Sequence, residues 1–247
     1  MDNNKIKEKN KYIIDKYNKD VENTGGKYLY NNGSAAEKYV KQRVLNNMMS
    51  IYDFSNKTLL ELGCGDGTFS LDFALLNPTT QILATEPVAG AIQAAKEKKI
   101  EMDIKNIEFE TLSVYDINFD TKFDCGLFSG VIHHLPDPEK AINIVSNYAD
   151  NIIIIEPNGY APVLKLLEKY SKYHIEHEEK SYTLSTLKKW FNNAGMKVTY
   201  SKFIDIVPVF CPDFAAHILN FFTPAFETLP IIKKLACARV IMLATKI

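Results

Sequence analysis

The run Leu59-Leu60-Glu61-Leu62, followed by Gly63-Cys64-Gly65-Asp66-Gly67-Thr68, constrains this chain more than any other stretch. A short apolar run closed by glycines reads as a strand buried on both faces, the kind found in parallel sheets. Glycine at every second position beyond it lets the backbone turn sharply and a ligand approach closely. A dinucleotide site wants G-x-G-x-x-G or G-x-G-x-x-A, whose third small residue packs a helix on the strand while the helix N-terminus receives a pyrophosphate. Thr68 stands at that third place, and the extra glycine comes one residue early, at Gly67. Glu61 precedes the first glycine by two residues. An acid there would repel a phosphate but accepts hydrogen bonds from a cationic or amino-bearing ligand.

The following segments alternate between helical and strand patterns. Residues 68–76 read as a helix stopped by Asn77-Pro78, and residues 81–85 as a second strand ending at Glu86 and Pro87. An acid about 20 residues beyond a glycine turn can take both hydroxyls of a ribose, a property shared by several nucleoside families; the plainer reading is a solvated glutamate. Residues 88–99 form the next helix and residues 107–111 a third strand, with Ser113 and Val114 just past its end. A fourth strand, residues 123–129, runs through Ser129 into Gly130-Val131-Ile132-His133-His134-Leu135-Pro136-Asp137-Pro138. Asp137 as N-cap and Pro138 at the first helical position start a helix, so both histidines lie on the strand-to-helix loop. Such loops border the ligand crevice of open α/β sheets. Residues 151–156, nearly all β-branched, read as a central strand.

Two late alternating runs, residues 196–207 and 238–246, read as strands, with an aromatic insertion at about 208–237 between them. Its phenylalanines admit three readings: core for the sheet end, a dimer surface, or a wall of an acceptor pocket. Their number implies that most are covered by something. His174 and His177 in the polar stretch 172–181 do not have the zinc-protease spacing, and no further ligand set is apparent; this stretch reads as a solvated loop or as a lid. No metal is expected.

Before the glycine turn, Ile13, Ile14, Tyr17 and Val21 fall at helical spacing, the pattern of a helix covering the sheet. Ser34 and Glu37 form a capping box for a second helix. Tyr28 and Tyr30, on the loop between them, either touch an acceptor or merely line a helix connection. Residues 1–50 are thus a helical lid or cap, and residues 51–247 one domain. Composition narrows the partners. A net charge of -1 gives no general attraction to nucleic acid. The four scattered cysteines suit a reducing cytoplasm, and the lysine- and asparagine-rich start has no signal-peptide core. No apolar run reaches the ~18 residues of a membrane span. A monomer or homodimer acting on a small molecule is expected.

The motif E-x-G-x-G-x-G at Glu61–Gly67, the acid Glu86 and the phrase V-I-H-H-L-P-D-P together resemble the class I S-adenosylmethionine-dependent methyltransferases, the last being similar to the quinone-methylating type. The resemblance runs in order from about residue 58 to 247. It implies a three-layer α/β sandwich with a seven-stranded, mostly parallel sheet ending in an antiparallel strand pair. It implies S-adenosylmethionine as cofactor and S-adenosylhomocysteine as product. Gly63, Cys64, Gly65 and Gly67 would approach the methionine part, with Glu61 at its amino end or bracing the loop. Glu86 with Pro87 would take the ribose, Ser113 and Val114 the adenine, where the family usually has an acid. Ser129 and Gly130 would line the path to the sulfonium, and His134, or else His133, would act on an oxygen or nitrogen of a small acceptor such as a sugar or glycan precursor, quinone or amine. Two rivals remain: a nicotinamide-dependent oxidoreductase, and a non-enzymatic S-adenosylmethionine-binding or assembly protein.

Overall fold

The computed structural model describes residues 2–25 and 33–247. Tyr28 and Tyr30 lie outside the described residues. In chain order the elements are α1 (Asn3–Asn23), α2 (Ala35–Ile51), β1 (Thr58–Leu62), α3 (Thr68–Leu76), β2 (Gln81–Glu86), α4 (Ala89–Glu101), β3 (Ile107–Thr111) and β4 (Phe123–Ser129). A single 3-10 turn, Ile132–His134, precedes α5 (Pro138–Val145), β5 (Ala149–Pro157), α6 (Pro162–Tyr170), α7 (Lys172–Glu176) and α8 (Leu184–Asn193). The chain continues through β6 (Met196–Ile204), α9 (Asp213–Thr228), α10 (Ile232–Ala236) and β7 (Arg239–Lys246).

Among the described residues the strands form one seven-stranded sheet in the order β3-β2-β1-β4-β5-β7-β6. The pairs from β3 to β5 are parallel, and β7 runs antiparallel to both of its neighbours. Successive side chains of a strand point to opposite faces, which is why an unbroken apolar run is needed where both faces are covered. In β5, Ile153 and Ile155 enter the core with Met48 of α2 and Phe73 of α3, while Ile152 and Ile154 enter the opposite core with Ile142 of α5 and Phe191 of α8. Layers of helix, sheet and helix result, as expected from the sequence.

Local signals placed the helix starts. Ser34 Oγ accepts from Glu37 N–H at 3.2 Å, and the Glu37 carboxylate accepts from Gly33 N–H at 2.6 Å. Asp137 Oδ1 accepts from Lys140 N–H at 3.1 Å with Pro138 opening the helix. No helix among the described residues is long and apolar enough to cross a membrane.

Two expectations need correction. The stretch 172–181 is not a solvated loop: it contains α7 and docks on α1, with His177 only 9% exposed. Polar contacts join the two: His177 Nε2 lies 2.9 Å from Asp20, Lys9 pairs with Glu178 at 2.6 Å, and Lys16 Nζ donates to the Glu176 backbone carbonyl. Of the three readings of the aromatic insertion, sheet core does not hold over most of its length, and the exposed residues are of the kind a dimer surface would present. Helix α9 runs through Pro224, buries Ala216 against Ala36 and Val207, and leaves Phe214, Ile218, Phe221 and Phe222 exposed. Its base is pinned by Glu227, which accepts from Asp205 N–H at 3.0 Å and pairs with Arg43 and Lys202. A buried carboxylate with two cations selects the helix face that turns inward, and the phenylalanines fall on the other.

Candidate active site

A cavity of ≈ 290 Å³ opens over the carboxyl ends of β1, β2 and β4. Those ends are level because Leu62 is in register with Thr85 on one side and Phe128 on the other. Gly63, Cys64, Gly65 and Asp66 form one wall, Glu86, Pro87 and Val88 a second, Leu112, Ser113 and Val114 a third, and Ser129, Gly130, Val131 and His134 a fourth. Asn10, Ile13, Ile14 and Tyr17 of α1 lie across the top. Of the residues singled out from sequence, Glu61, Gly67 and His133 are not in the wall, and the two tyrosines, Tyr28 and Tyr30, are outside the described residues.

The glycine turn is shaped as much by protein packing as by room for a ligand. Gly63 has φ +72°, and a Cβ there would sit 2.6 Å from Val131 Cγ2. The turn is held by Gly63 and Cys64 N–H donating to Thr85 O at 2.6 and 3.0 Å. Gly67 also has φ +72°, and its Cβ would meet Ala95 Cβ at 2.7 Å and the Phe109 ring at 2.9 Å. This glycine lets α3 begin against α4 and β3, and it does not line the cavity. Gly67→Ala is expected to cost about 2–4 kcal/mol, from the left-handed backbone and the overpacking together. Denaturant unfolding checks this, and a loss within experimental error would show that the turn adjusts freely.

Glu61 lies beneath the turn, 3% exposed. Burial pushes its carboxyl up to about 7, partly offset by the Ser70 hydroxyl. It is placed to brace the loop. Burial likewise holds the Cys64 thiol well above its ordinary range, aided by the acids Glu61 and Glu86, so this sulfur is a neutral wall atom. Asp66, which the sequence did not single out, is 1% exposed and ion-paired with Lys98 at 3.2 Å.

Glu86 is 6% exposed rather than solvated. Its Oε2 accepts from Gly65 N–H at 3.2 Å and its Oε1 from Val88 N–H at 3.1 Å. Ser113 Oγ accepts from Asn10 Nδ2 at 3.1 Å and from Tyr115 N–H at 3.3 Å. Its hydroxyl proton is thereby left to donate. Asn10 was missed because its helix showed only an apolar stripe, with no sign of what the polar residue beside it would face.

The two adjacent histidines are in different states. His133 Nδ1 lies 2.7 Å from Glu156 Oε2, and Glu156 Oε1 accepts from Val131 and Ile132 N–H, both at 2.8 Å. Burial by itself would lower the His133 pKa, but the charge and hydrogen bond of Glu156 prevail and raise it. This residue and Glu156 anchor the 3-10 turn. His134 Nδ1 lies 2.8 Å from Tyr17 Oη, across the cavity from the sheet. Burial, and then the neighbouring His133, His177 and His174, hold the His134 pKa well below the ordinary 6.5. Its ring is the free base at neutral pH, bound to the helix that covers the site. Tyr17 itself is 8% exposed and packs on His177 with ring centroids 5.1 Å apart.

A buried acid at the tip of β2, a glycine turn at β1 and a neutral imidazole after β4 can together hold a nucleoside and take a proton from a second molecule. A model of the methyltransferase domain matches residues 53–198. An uncharacterized protein of Synechococcus sp. is 35% identical over 86 residues, 34% of this chain and 21% of its own length. Matched stretches span 21–40% of the length of the curated relatives. Among solved structures, the cyclase SpnF is similar with a TM-score of 0.67 at 16% identity, covering 96% of this chain and 94% of that one. Geranyl diphosphate C-methyltransferase from Streptomyces coelicolor, solved with Mg2+, geranyl diphosphate and S-adenosyl-L-homocysteine, has a TM-score of 0.63 at 12% identity over 85% of this chain and 80% of its own. At these identities the structural likeness concerns the fold.

Proposed function

Because the chain belongs to the methyltransferase domain family, we propose that it transfers the methyl group of S-adenosylmethionine to an oxygen or nitrogen of a small-molecule acceptor. The observation that carries this reading is that Glu86 and His134 both line one cavity. Glu86 is pre-set by two backbone amides to receive the ribose hydroxyls. The Ser113 hydroxyl and the Val114 backbone border the adenine, and Gly63 to Asp66 follow the methionine part. Residues 1–50 act as a cap, with α1 closing the site through Asn10 and Tyr17.

The methyl carbon on a sulfonium is already activated, so the protein chiefly aligns a nucleophile with the carbon–sulfur bond. Such alignment is worth ~7–11 kcal/mol in well-oriented systems. As the acceptor's oxygen or nitrogen bonds to the methyl carbon, the carbon–sulfur pair returns to sulfur, leaving neutral S-adenosylhomocysteine. The acceptor's proton passes to His134 Nε2, in the tautomer whose Nδ1–H donates to Tyr17. His133, tied to Glu156, holds the turn that presents this ring.

Calorimetric titration tests the cofactor. The chain is expected to bind S-adenosylmethionine and S-adenosylhomocysteine at one site and to show no saturable binding of a nicotinamide dinucleotide; the opposite preference would sink the proposal. A screen of small hydroxyl and amine acceptors, read by formation of S-adenosylhomocysteine, tests transfer. Cofactor binding without turnover on any acceptor would favour a non-enzymatic binding protein.

A further inference from the structure

We infer that His133, His134 and Glu179 form a site for one divalent transition-metal ion, and that an ion held there inhibits methyl transfer by occupying His134. Each of the three brings a ligand atom within 4.8 Å of the other two, and all are partly exposed. The Glu179 carboxylate lies 3.8 Å from His134 Nδ1, and its other oxygen lies 3.4 Å from His174 Nε2, so a fourth nitrogen stands beside the set. No local pattern marks this grouping, because the histidine pair follows β4 whereas Glu179 follows α7.

The geometry needs little adjustment. With zinc bonds of about 2.0–2.2 Å, ligand atoms at tetrahedral corners are about 3.4 Å apart. A separation of 4.8 Å therefore requires at most ~1.4 Å of closure. The supporting contacts also suit a metal. His133 Nδ1 is engaged by Glu156, which two backbone amides hold in place, and His134 Nδ1 is engaged by Tyr17. Nε2 is then the atom left to ligate on His133. On His134 the Nδ1 that Glu179 approaches is shared with Tyr17, so an ion takes Nε2 there once Glu179 turns toward it. A carboxylate behind a ligating histidine orients it and raises its basicity. Two imidazoles with one carboxylate favour zinc, cobalt or nickel over magnesium and calcium, which prefer all-oxygen shells.

An ion on His134 takes the lone pair that would accept the acceptor's proton. This inhibitory half rests on the function proposed above; the binding half does not. The ligands come from two segments, so an ion also fastens residues 172–181 to the loop after β4.

Chelator-treated full-length chain, titrated with ZnCl2 by calorimetry and with CoCl2 by visible absorption, tests the site in the absence of cofactor. One ion per chain is expected, with the absorption of nitrogen-bound rather than hydrated cobalt. Glu179→Gln is expected to weaken binding by at least the ~10–100-fold that loss of a supporting partner alone costs. Glu179→His, which keeps a ligand in place, is expected to retain it, and His217→Ala, remote from the cluster, to bind as the unaltered chain does. No saturable uptake, or uptake that a folded Glu179→Gln protein keeps in full, overturns the site. Failure to bind S-adenosylmethionine leaves this titration untouched, so the two proposals fail separately. Zinc at saturation is expected to stop S-adenosylhomocysteine formation until EDTA is added; full turnover with the site filled overturns the inhibitory role.

Discussion

Replacing His134 with alanine is expected to slow methyl transfer by about 10²–10⁴-fold, the usual contribution of a positioned general base, while cofactor affinity stays close to that of the unaltered chain. Tyr17→Phe removes the hydrogen bond to Nδ1 and should slow turnover as well, by less, because the imidazole itself remains. The pH profile provides an independent reading. Burial and then its histidine neighbours keep His134 well below 6.5, so the rate should stay level as the pH falls past that value. An ordinary histidine would already be losing its free base there. A rate that halves near pH 6.5, or an undiminished rate for His134→Ala, would remove this residue from the proton transfer.

The same residues make opposite contributions to stability. The unfolded chain binds a proton on His134 near 6.5 and the folded chain does not, so this residue's contribution weakens as the pH drops below that value. His133 has a raised pKa in the fold, so its contribution is fully present below 6.5 and is lost as the pH climbs through the raised value.

Glu86→Ala should remove the cofactor rather than slow the chemistry. Hydrogen bonds to a charged group are worth ~1.5–3 kcal/mol each, and each ~1.4 kcal/mol is a factor of ten in affinity. Loss of the carboxylate is thus expected to weaken S-adenosylhomocysteine binding by at least ~10–100-fold, as measured by calorimetry. It also leaves the Gly65 and Val88 N–H groups without their acceptor, so a lower melting temperature should accompany it. Glu86→Gln keeps an acceptor oxygen and should lose less of both. Unchanged binding in a folded Glu86→Ala protein would place the ribose elsewhere.

The sheet was legible because its strands are short apolar runs bounded by strong stop signals. β1, β3 and β4 could be delimited from Leu59, Phe109 and Phe123 with their flanking turns, and α5 from Asp137 and Pro138. The walls built from loops directly after strands, Gly63 to Gly65, Glu86 and Ser129 to Gly130, were legible for the same reason. What depended on two distant segments meeting was not. The Asn10 contact to Ser113, the Tyr17 bond to His134 and the Asp20 pairing with His177 join α1 to residues more than a hundred positions away. Local periodicity marked a helix with a covered face, but the partner of that face is set by tertiary packing. The phenylalanines of α9 left several readings open for a related reason: apolar content implies burial on average, whereas the buried Glu227 and its cations decide which side of that helix turns in.

The position of β7 bears on how the molecule is assembled as it is made. Among the seven described strands it is the last in chain order, yet it lies between β5 and β6. Until it arrives, β5 has no neighbour on one edge, and its run of four isoleucines, Ile152–Ile155, presents unpaired backbone to other nascent chains. Open, flat apolar edges of this kind are templates for aggregation. The strands β1 to β4 can pair during synthesis, but the sheet closes only after residue 246, in an antiparallel insertion. Slow synthesis of residues 205–246 would therefore lengthen the interval in which the half-built sheet is open to chaperones and to misassembly.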